Sequence, residues 1–327
     1  MIKQTRIIRN KYCNWLRHKA WQAGLLVCAG LMAACSSQPL VPQTPQAAGT
    51  SVPVATPVIA AEAGAPKRPP RIGLALGGGA ARGFAHVGVI QVLEEAGIKP
   101  ALVAGTSAGS MVAALYASGK TGGQLQQLAQ SMDEATFADW SLPIFNRGLL
   151  RGDALAKYVH AQVAGRRIED LPLPLGITAT DLHSGQGVLF QRGDTATAVR
   201  ASSAVPAVFQ PVRIGNRDYV DGGLVSPVPV RHARQMGAEL VIAVDISNTP
   251  DSNPANDTLQ ILLQTFNIMG RSINSWELRD ADIVVRPALQ GVASADFNAR
   301  NRSIQAGRLA MQQQLPQLRL ALESRAR

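Results

Sequence analysis

Between residues 72 and 118 the chain passes twice from a short apolar segment, through a glycine-rich turn, into a segment with helical spacing. The first unit joins Arg71–Leu76 to Phe84–Ala96, and the second joins Ala101–Ala104 to Ser107–Ser118. Glycine has no Cβ atom, so it permits the tight turns that connect a strand directly to a helix. Two such units in succession predict parallel strands covered by helices, and therefore an α/β fold.

The rest of the sequence continues this pattern without an internal repeat. The length of 327 residues and the apolar content of 46% are sufficient for a large buried core. Further strands are predicted at Leu175–Thr180, Gly187–Phe190, Tyr219–Val220, Leu240–Asp245 and Ile283–Arg286. Further helices are predicted at Thr195–Ser202, Val230–Met236, Leu259–Arg279 and Ser303–Glu323. We expect one folded domain from residue 71 to residue 327.

The first 34 residues are typical of a secretory signal peptide. They carry six basic residues and no acidic residue, and an apolar run extends from Ala23 to Ala34. This run is too short to cross a bilayer of about 30 Å as a helix. Small residues before Cys35 resemble the lipobox of bacterial lipoproteins, in which the cysteine is lipidated. Because Met32 stands where leucine is usual, an ordinary secretory signal or an uncleaved anchor remains the alternative.

The positions of the cysteines favour lipidation at Cys35. All three cysteines lie in the first 35 residues, so a chain that begins at Cys35 has no second thiol for an intramolecular disulfide. Ser36 and Ser37 resemble a signal that sorts lipoproteins to the outer membrane of a Gram-negative cell. The protein would then face the periplasm. Residues 35–70 are rich in Pro, Ala, Thr, Ser and Gln and predict a partly extended tether. We therefore expect a protein of the bacterial cell envelope that a lipid anchor holds at the membrane.

The positive charge of the chain is concentrated at its N-terminus. The formal net charge is +10, from 32 basic and 22 acidic residues, and six of the basic residues lie in the first 34. The remainder has a net charge of only +4 and no dense basic segment with interleaved aromatic residues. This distribution argues against a nucleic-acid partner.

The first motif that suggests catalytic chemistry is Gly105-Thr106-Ser107-Ala108-Gly109, a G-x-S-x-G sequence between a predicted strand and a predicted helix. In this context a sharp turn projects the serine hydroxyl above the sheet at a helix N-terminus. Ser107 is therefore a candidate nucleophile, and Gly105 and Gly109 relieve the crowding of the turn. The alternative is a simple glycine-rich turn in which Ser107 only caps the helix.

The second motif is the loop Gly77-Gly78-Gly79-Ala80-Ala81-Arg82-Gly83. A dinucleotide-binding loop requires a third glycine where Arg82 stands and an acidic residue at the end of the next strand. A Walker-type phosphate loop requires Gly-Lys-Ser/Thr, whereas Phe84 follows Gly83. A nucleotide-binding loop is therefore the least favoured of three interpretations. The others are a loop whose backbone N–H groups stabilise an oxyanion, which is favoured, and a purely structural turn.

The third motif is Tyr219-Val220-Asp221-Gly222-Gly223, in which Asp221 ends a predicted strand. A glycine-rich turn with an exposed aspartate is equally compatible with this pattern. Asp181 and Asp245 also end predicted strands and are rival candidates for a catalytic carboxylate.

The histidines do not suggest a Ser-His-Asp triad. In α/β-hydrolases the histidine follows the aspartate, and only His232 follows Asp221 here, between arginines on a predicted solvated helix face. His86 follows the glycine loop and is expected to support it or to pack in the helix. His160 and His183 lie in no informative context. The sequence therefore suggests a dyad in which a carboxylate takes the place of imidazole.

Taken in order, Leu74–Gly83, Gly105–Gly109 and Asp221–Gly223 resemble the patatin-like phospholipases. The bacterial members of that family also resemble the chain at Ala179–Leu182, Ala201–Pro206 and Pro227–Pro229. The resemblance implies a three-layer α/β sandwich whose mostly parallel central sheet is flanked by helices. It also implies a Ser107–Asp221 dyad and an oxyanion hole from the Gly77–Gly79 segment, with Arg82 as the basic residue of the glycine loop. An extra alanine before Arg82 leaves open which N–H groups would face the oxyanion.

The resemblance further implies a serine esterase that hydrolyses acyl esters of lipids. Phospholipids and lysophospholipids are the favoured substrates. A Ser-His-Asp carboxylesterase that uses His232 or His183, and a catalytically silent lipid-binding lipoprotein, are the alternatives. No cofactor or metal is expected, since no His, Cys and carboxylate cluster has zinc or calcium spacing. The apolar residues of segment 132–150 predict either an acyl-chain wall or lid, or ordinary core packing.

Overall fold

A computed structural model describes residues 68–132, 148–247 and 256–326. All of them fall within one compact unit, Ala63–Arg327. The predictions for the signal peptide at 1–34, for Cys35 and for the tether up to residue 67 lie outside the described residues. Residues 133–147 of the predicted acyl-chain segment lie outside them as well.

The described strands and helices alternate through most of the chain. The strands are β1 Ile72–Leu76, β2 Leu102–Thr106, β3 Gly148–Leu150, β4 Leu175–Asp181, β5 Gly187–Phe190, β6 Ala207–Phe209, β7 Val212–Ile214, β8 Arg217–Asp221, β9 Leu240–Val244 and β10 Ile283–Val285. The α-helices are α1 Phe84–Glu95, α2 Ala108–Ala117, α3 Gly122–Ser131, α4 Asp153–Gln162, α5 Thr195–Ser202, α6 Val230–Gln235, α7 Thr258–Glu277 and α8 Arg300–Arg325.

A single large sheet organises these elements. Its strand order is β10-β9-β1-β2-β4-β8-β7, and β5 also pairs with β4. The five strands from β10 to β4 run parallel, whereas β5 and β8 are antiparallel to β4 and β7 is antiparallel to β8. The short strands β3 and β6 form a separate parallel pair.

The central strands are buried on both faces. In β1 the side chains of Leu74 and Leu76 pack in one core with α1, α2, α3 and α8, while Ala75 faces a second core that includes α6. Every residue of β1, β2, β4 and β9 is buried, which explains why β1, β2 and β9 appear in the sequence as nearly continuous apolar runs. The predicted α/β arrangement, a mostly parallel sheet between helical layers, is confirmed.

The structure also contains elements that the sequence did not reveal. Helix α3 has few apolar residues, but a capping box of Thr121 and Gln124 fixes its N-terminus. Helix α4 and the β3–β6 pair were not predicted either. The antiparallel direction of β8 depends on pairing with β4 across a long sequence separation, which a local pattern cannot encode.

None of the helices in the three described ranges combines the length and the apolar character that a membrane-spanning helix requires.

Candidate active site

Strand β4 brings the ends of β2 and β8 together. Thr106 pairs with Thr178, and Asp221 pairs with Ala179, the next residue of β4. The residue after Thr106 is Ser107, so the G-x-S-x-G turn and the Asp221 turn lie at the same edge of the sheet. Two motifs more than one hundred residues apart in the chain are therefore neighbours in the fold.

The backbone of Ser107 is held in an uncommon conformation. Its φ of 53° and ψ of −125° lie outside the regions that non-glycine residues favour. A Cβ at Gly109 would overlap the carbonyl oxygen of Leu76, so only glycine allows helix α2 to start this close to β1. Strain of this kind, on the order of 1–3 kcal/mol, persists where the surrounding structure fixes the backbone and is concentrated at functional sites.

Ser202 is the residue that fixes the Ser107 turn. The backbone N–H of Ser107 donates to Ser202 Oγ at 2.8 Å, and the Ser202 hydroxyl donates to the carbonyl oxygen of Thr178 at 2.6 Å. Ser202 is fully buried at the C-terminal end of α5. In the sequence, Ser202 stands at the end of a predicted helix and in a segment of family resemblance, and neither context reveals this role, because the bond joins residues that are distant in the chain.

Replacing Ser202 with alanine should therefore damage the turn. The partly buried N–H of Ser107 would lose its acceptor, which costs about 1 kcal/mol of unfolding free energy. We also expect kcat for ester hydrolysis to fall on the order of tenfold, because the position of the Ser107 hydroxyl is less restricted. Urea unfolding and steady-state kinetics measure both effects. Ser118→Ala, which removes a hydroxyl bonded to Leu115 O at the far end of α2, is the matched control and should leave kcat unchanged.

Asp221 is a buried carboxylate with few compensating contacts. Only 6% of the residue is exposed, and burial raises the pKa of Asp221 to about 6 against the opposing influence of its hydrogen bonds. The N–H of Gly223 donates to Oδ1 at 2.6 Å, and the nearby side chain of Ser107 also acts to lower the pKa of Asp221. A carboxylate with this pKa is ionised at neutral pH and is a stronger base than an ordinary aspartate.

Ser107 and Asp221 face each other without a fully formed hydrogen bond. The serine is close enough to lower the pKa of Asp221 slightly, whereas Asp221 Oδ2 has no partner of standard hydrogen-bond geometry within the described ranges. Hydrogen bonds between catalytic groups are often long before a substrate binds and shorten in the complex. The arrangement leaves Oδ2 available for a proton from the serine hydroxyl.

The glycine loop runs beside Ser107. A Cβ at Gly78 would lie 3.1 Å from Ser107 Cβ, so glycine allows the loop to approach the serine closely. The N–H groups of Gly77 and Gly78 are already engaged with the carbonyl oxygens of Val244 and Pro227, at 3.1 and 2.9 Å. In the described part of the chain the N–H groups of Gly79 and Ala80 have no acceptor, and Ala80 has a φ of 50°. Within the described residues, the unengaged N–H groups at the start of the loop are therefore those of Gly79 and Ala80.

Two buried polar side chains support this loop. His86 Nε2 donates to the carbonyl oxygen of Gly77 at 2.8 Å, and burial lowers the pKa of His86 to about 4, so the ring is neutral. This contact confirms the expectation that His86 supports the loop. Arg82 is also buried, which lowers its pKa to about 10 against the attraction of Asp245, and it remains a cation at neutral pH. Its Nε and Nη1 atoms have no hydrogen-bond partner in the described residues.

The rival residues occupy structural positions. Asp181 accepts from the N–H of His183 at 2.9 Å and pairs with Arg217 at 2.6 Å, and Asp245 pairs with Arg286 at 3.4 Å. His232 is partly buried against Thr178 Oγ1, 2.9 Å away, rather than on a solvated face as expected. In the described ranges no histidine hydrogen-bonds to Ser107 or Asp221. No group of three or more His, Cys, Asp or Glu residues that could hold a metal occurs in those ranges.

An apolar cavity of about 190 Å³ opens beside Ser107. It extends among helices α1 to α4, and Phe297, which precedes α8, also lines it. Met132, from the segment predicted as an acyl-chain wall, contributes to the lining, and Gly148–Leu150 of the same segment forms β3. Other lining residues are Phe84, Met111, Leu115, Leu125 and Leu155.

The sheet, its helical layers and the Ser107 turn define a patatin-like α/β fold. The solved structure of VipD from Legionella pneumophila is similar to this chain, with a TM-score of 0.54 and 15% identity, over 76% of this chain and 67% of that chain. A family model described as patatin-like phospholipase matches residues 74–234, a range that includes Ser107 and Asp221. The chain contains a patatin-like phospholipase domain.

Proteins of related sequence support the same assignment. An uncharacterized NTE family protein of Mycobacterium tuberculosis is 38% identical over 208 residues, which are 63% of this chain and 57% of that protein. Patatin-like phospholipase domain-containing protein 6 of Homo sapiens is 31% identical over 231 residues, which are 68% of this chain and 16% of that protein. The chain thus matches little more than half the length of the first relative and a small part of the second.

Proposed function

We propose that this chain is a serine hydrolase of lipid acyl esters, in which Ser107 is the nucleophile and Asp221 is the base. The observation that carries the proposal is the strained Ser107 turn beside a buried carboxylate whose pKa is raised to about 6. The patatin-like phospholipase domain supports the same class of reaction and substrate. The Ser-His-Asp alternative has less support, because the partner of His232 is Thr178.

In the proposed reaction the Ser107 hydroxyl attacks the carbonyl carbon of an ester while its proton passes to Asp221. The tetrahedral intermediate collapses, and the alcohol leaves with the proton that Asp221 returns. Water then attacks the acyl-enzyme, again with Asp221 as proton acceptor, and the proton finally returns to Ser107 as the fatty acid is released. The same carboxylate therefore acts as base and as acid in both halves of the cycle.

The negative charge of the tetrahedral intermediate requires hydrogen-bond donors close to Ser107. We assign this role to the N–H groups of Gly79 and Ala80, which have no acceptor among the described residues, rather than to Gly77 and Gly78. The N–H of Ala108 is a further donor, since it opens helix α2 and has no intrahelical acceptor. The positive charge of Arg82, a residue of the same loop, further stabilises the negative charge of the intermediate.

The cavity beside Ser107 suits the acyl chain of the substrate. Met111 lines it one helical turn after Ser107, about 6 Å along α2. Met111→Trp should fill this part of the cavity and exclude the middle of a long chain. The lost burial of two methylene groups, at about 0.8 kcal/mol each, corresponds to a decrease of about tenfold in kcat/KM for a dodecanoyl ester.

Hydrolysis of p-nitrophenyl esters of increasing chain length measures this effect. The butanoyl ester should be hydrolysed by Met111→Trp as it is by the wild type, and the volume-conserving variant Met111→Leu should retain activity on both esters. An equal decrease for short and long chains would show that the acyl chain binds elsewhere.

The proposed function is tested by labelling the full chain with a fluorescent fluorophosphonate and measuring ester and lysophospholipid hydrolysis. We expect covalent labelling that peptide mass spectrometry locates at Ser107, together with release of fatty acid. A folded protein that is neither labelled nor active, with or without detergent, would favour a lipid-binding protein without catalysis.

The location of the protein is part of the proposal. The basic and apolar segment before Cys35, and the Pro- and Ala-rich sequence after it, support a lipidated N-terminus that tethers the catalytic domain to the cell envelope, on the periplasmic side of the outer membrane. A single catalytic domain from residue 71 onward is consistent with such a tether.

A further inference from the structure

Helix α7 presents an apolar stripe to the solvent. Its members are two adjacent pairs and a single residue that recur about every seven positions, or two helical turns, so they fall on one side of the helix. Each has between 39% and 66% of its surface exposed, whereas Asn274 and Glu277 on the opposite side are buried. The stripe, called the α7 stripe below, consists of Ile261, Leu262, Ile268, Met269 and Trp276.

The charges around the α7 stripe are few and mostly basic. Between the first and last members of the stripe, the other exposed residues are Thr265, Arg271, Ser272 and Ser275, and the exposed charges between residues 258 and 279 are Arg271 and Arg279. The Arg279 guanidinium lies 4.1 Å from the centre of the Trp276 ring. Asp257 at the start of the helix is engaged as its N-cap, accepting from Gln260 N at 2.8 Å. A surface helix ordinarily carries charges of both signs on its outer face.

The inner side of α7 lies on the turn that follows Asp221. A Cβ at Gly270 would be 3.9 Å from the carbonyl oxygen of Gly223 and 3.6 Å from Pro227 Cγ. Near the end of the helix, Ser226 Oγ donates to Glu277 Oε1 at 2.5 Å, and the carbonyl oxygen of Ser226 accepts from Thr106 Oγ1 at 2.8 Å. The α7 stripe is therefore separated from the Asp221 turn by about one helix diameter, 10 Å.

We propose that the α7 stripe docks the domain onto the surface of a phospholipid bilayer. Isoleucine, leucine and methionine side chains would enter the boundary between headgroups and acyl chains, and Trp276 with Arg279 would lie at headgroup level, where such pairs are favoured. The helix would lie along the surface, and the site of the proposed lipid hydrolysis would then be near the bilayer. Docking itself does not depend on the proposed chemistry.

The size of the α7 stripe favours a bilayer over a second copy of the chain. The exposed parts of five large side chains amount to apolar area on the order of 400 Å². A stable protein–protein interface buries about 800 Å² on each partner and has a polar rim. A bilayer requires no complementary partner surface, and binding to it strengthens with the apolar area that is buried in lipid.

Fluorescence of Trp276 tests the proposal in the full chain. The chain carries Ser107→Ala so that lipids stay intact, and it is mixed with phosphatidylcholine–phosphatidylglycerol vesicles with or without brominated acyl chains. Comparison with the same protein carrying Trp276→Phe isolates the Trp276 signal from the other three tryptophans. We expect brominated lipid to quench the Trp276 signal by roughly half.

The variant Ile268→Ser/Met269→Ser should abolish this quenching. Leu309→Ser/Leu320→Ser, which removes two similarly exposed side chains from α8, is the matched control and should retain it. With Ser107 present, the first variant should hydrolyse vesicle lipid about tenfold more slowly and a soluble butanoyl ester at the wild-type rate.

A Trp276 signal that brominated lipid does not quench, in protein that floats with the vesicles, would overturn the proposal. A dimer in light scattering that Ile268→Ser/Met269→Ser converts to monomer, without any quenching, would overturn it in favour of a second copy. If no ester is hydrolysed, the proposed function fails, but the quenching measurement still decides whether the α7 stripe binds lipid.

Discussion

Ser107→Ala is expected to reduce kcat/KM for ester hydrolysis by at least about 10⁴-fold. Removal of a serine nucleophile leaves only the residual rate that an oxyanion site and substrate binding provide. Fluorophosphonate labelling should disappear in the same variant, because no hydroxyl remains to react. Both readouts use the purified full chain and a soluble butanoyl ester, so they do not depend on how the domain reaches a membrane.

The stability of Ser107→Ala distinguishes lost chemistry from lost structure. Alanine has a Cβ like serine, so the strained φ of 53° and the bond from the backbone N–H to Ser202 are retained, and the unfolding free energy should change by less than about 1 kcal/mol. Ser110→Ala, three residues further along, loses a single bond to the Ser107 carbonyl and should keep activity within tenfold. If Ser107→Ala stays active while remaining folded, the nucleophile is a different residue.

The local parts of the fold were predictable because each depends on a short segment. The apolar runs of β1, β2 and β9 are buried on both faces, so continuous hydrophobicity predicts them directly. The Gly105–Gly109 turn was predictable because its glycines mark positions where a second backbone segment approaches too closely for a Cβ atom. The β1–β2 pair is parallel as the strand-turn-helix order requires.

Contacts between distant segments could not be predicted in this way. The role of Ser202 depends on α5 approaching the Ser107 turn. In the glycine loop, the carbonyl oxygens of Val244 and Pro227 engage the N–H groups of Gly77 and Gly78, and this also depends on contacts between distant segments. The partly buried position of His232 depends on Thr178, fifty-four positions earlier. In each case the residue type is common, and its structural role is determined by a contact with a residue that is distant in the sequence.

Asp221→Asn is expected to lower kcat/KM by about 10³-fold or more, since an amide cannot accept the proton of Ser107. The wild type should itself lose activity on a neutral ester as the pH falls below about 6, because burial raises the pKa of Asp221 to about 6 and the protonated carboxyl is no longer a base. The measurement is kcat/KM for the butanoyl ester between pH 5 and pH 9. A profile without an inflection near pH 6 would argue against Asp221 as the base.

The same substitution should stabilise the fold at high pH. The pKa of Asp221 is raised from 3.8 to about 6 on folding, so the ionised carboxylate destabilises the native state by about 3 kcal/mol, an order-of-magnitude value. This penalty is present in full above pH 6, where both states are ionised, and it vanishes below pH 3.8, where both are protonated. Asp221→Asn should thus be more stable than the wild type at pH 8, and its advantage should shrink as the pH falls from 6 towards 4.

Urea unfolding at pH 8 and at pH 5 measures the difference in unfolding free energy between Asp221→Asn and the wild type. Asp181→Asn is the control, for which we expect a change in unfolding free energy of the opposite sign. Asp181 is equally buried, but it pairs with Arg217 at 2.6 Å and accepts two backbone N–H groups, so its replacement should destabilise the protein at both pH values. An inactive Asp221→Asn variant that is more stable than the wild type would identify a carboxylate retained for catalysis at the expense of stability. An Asp221→Asn variant less stable at pH 8 would show instead that the carboxylate holds the Gly223 turn together.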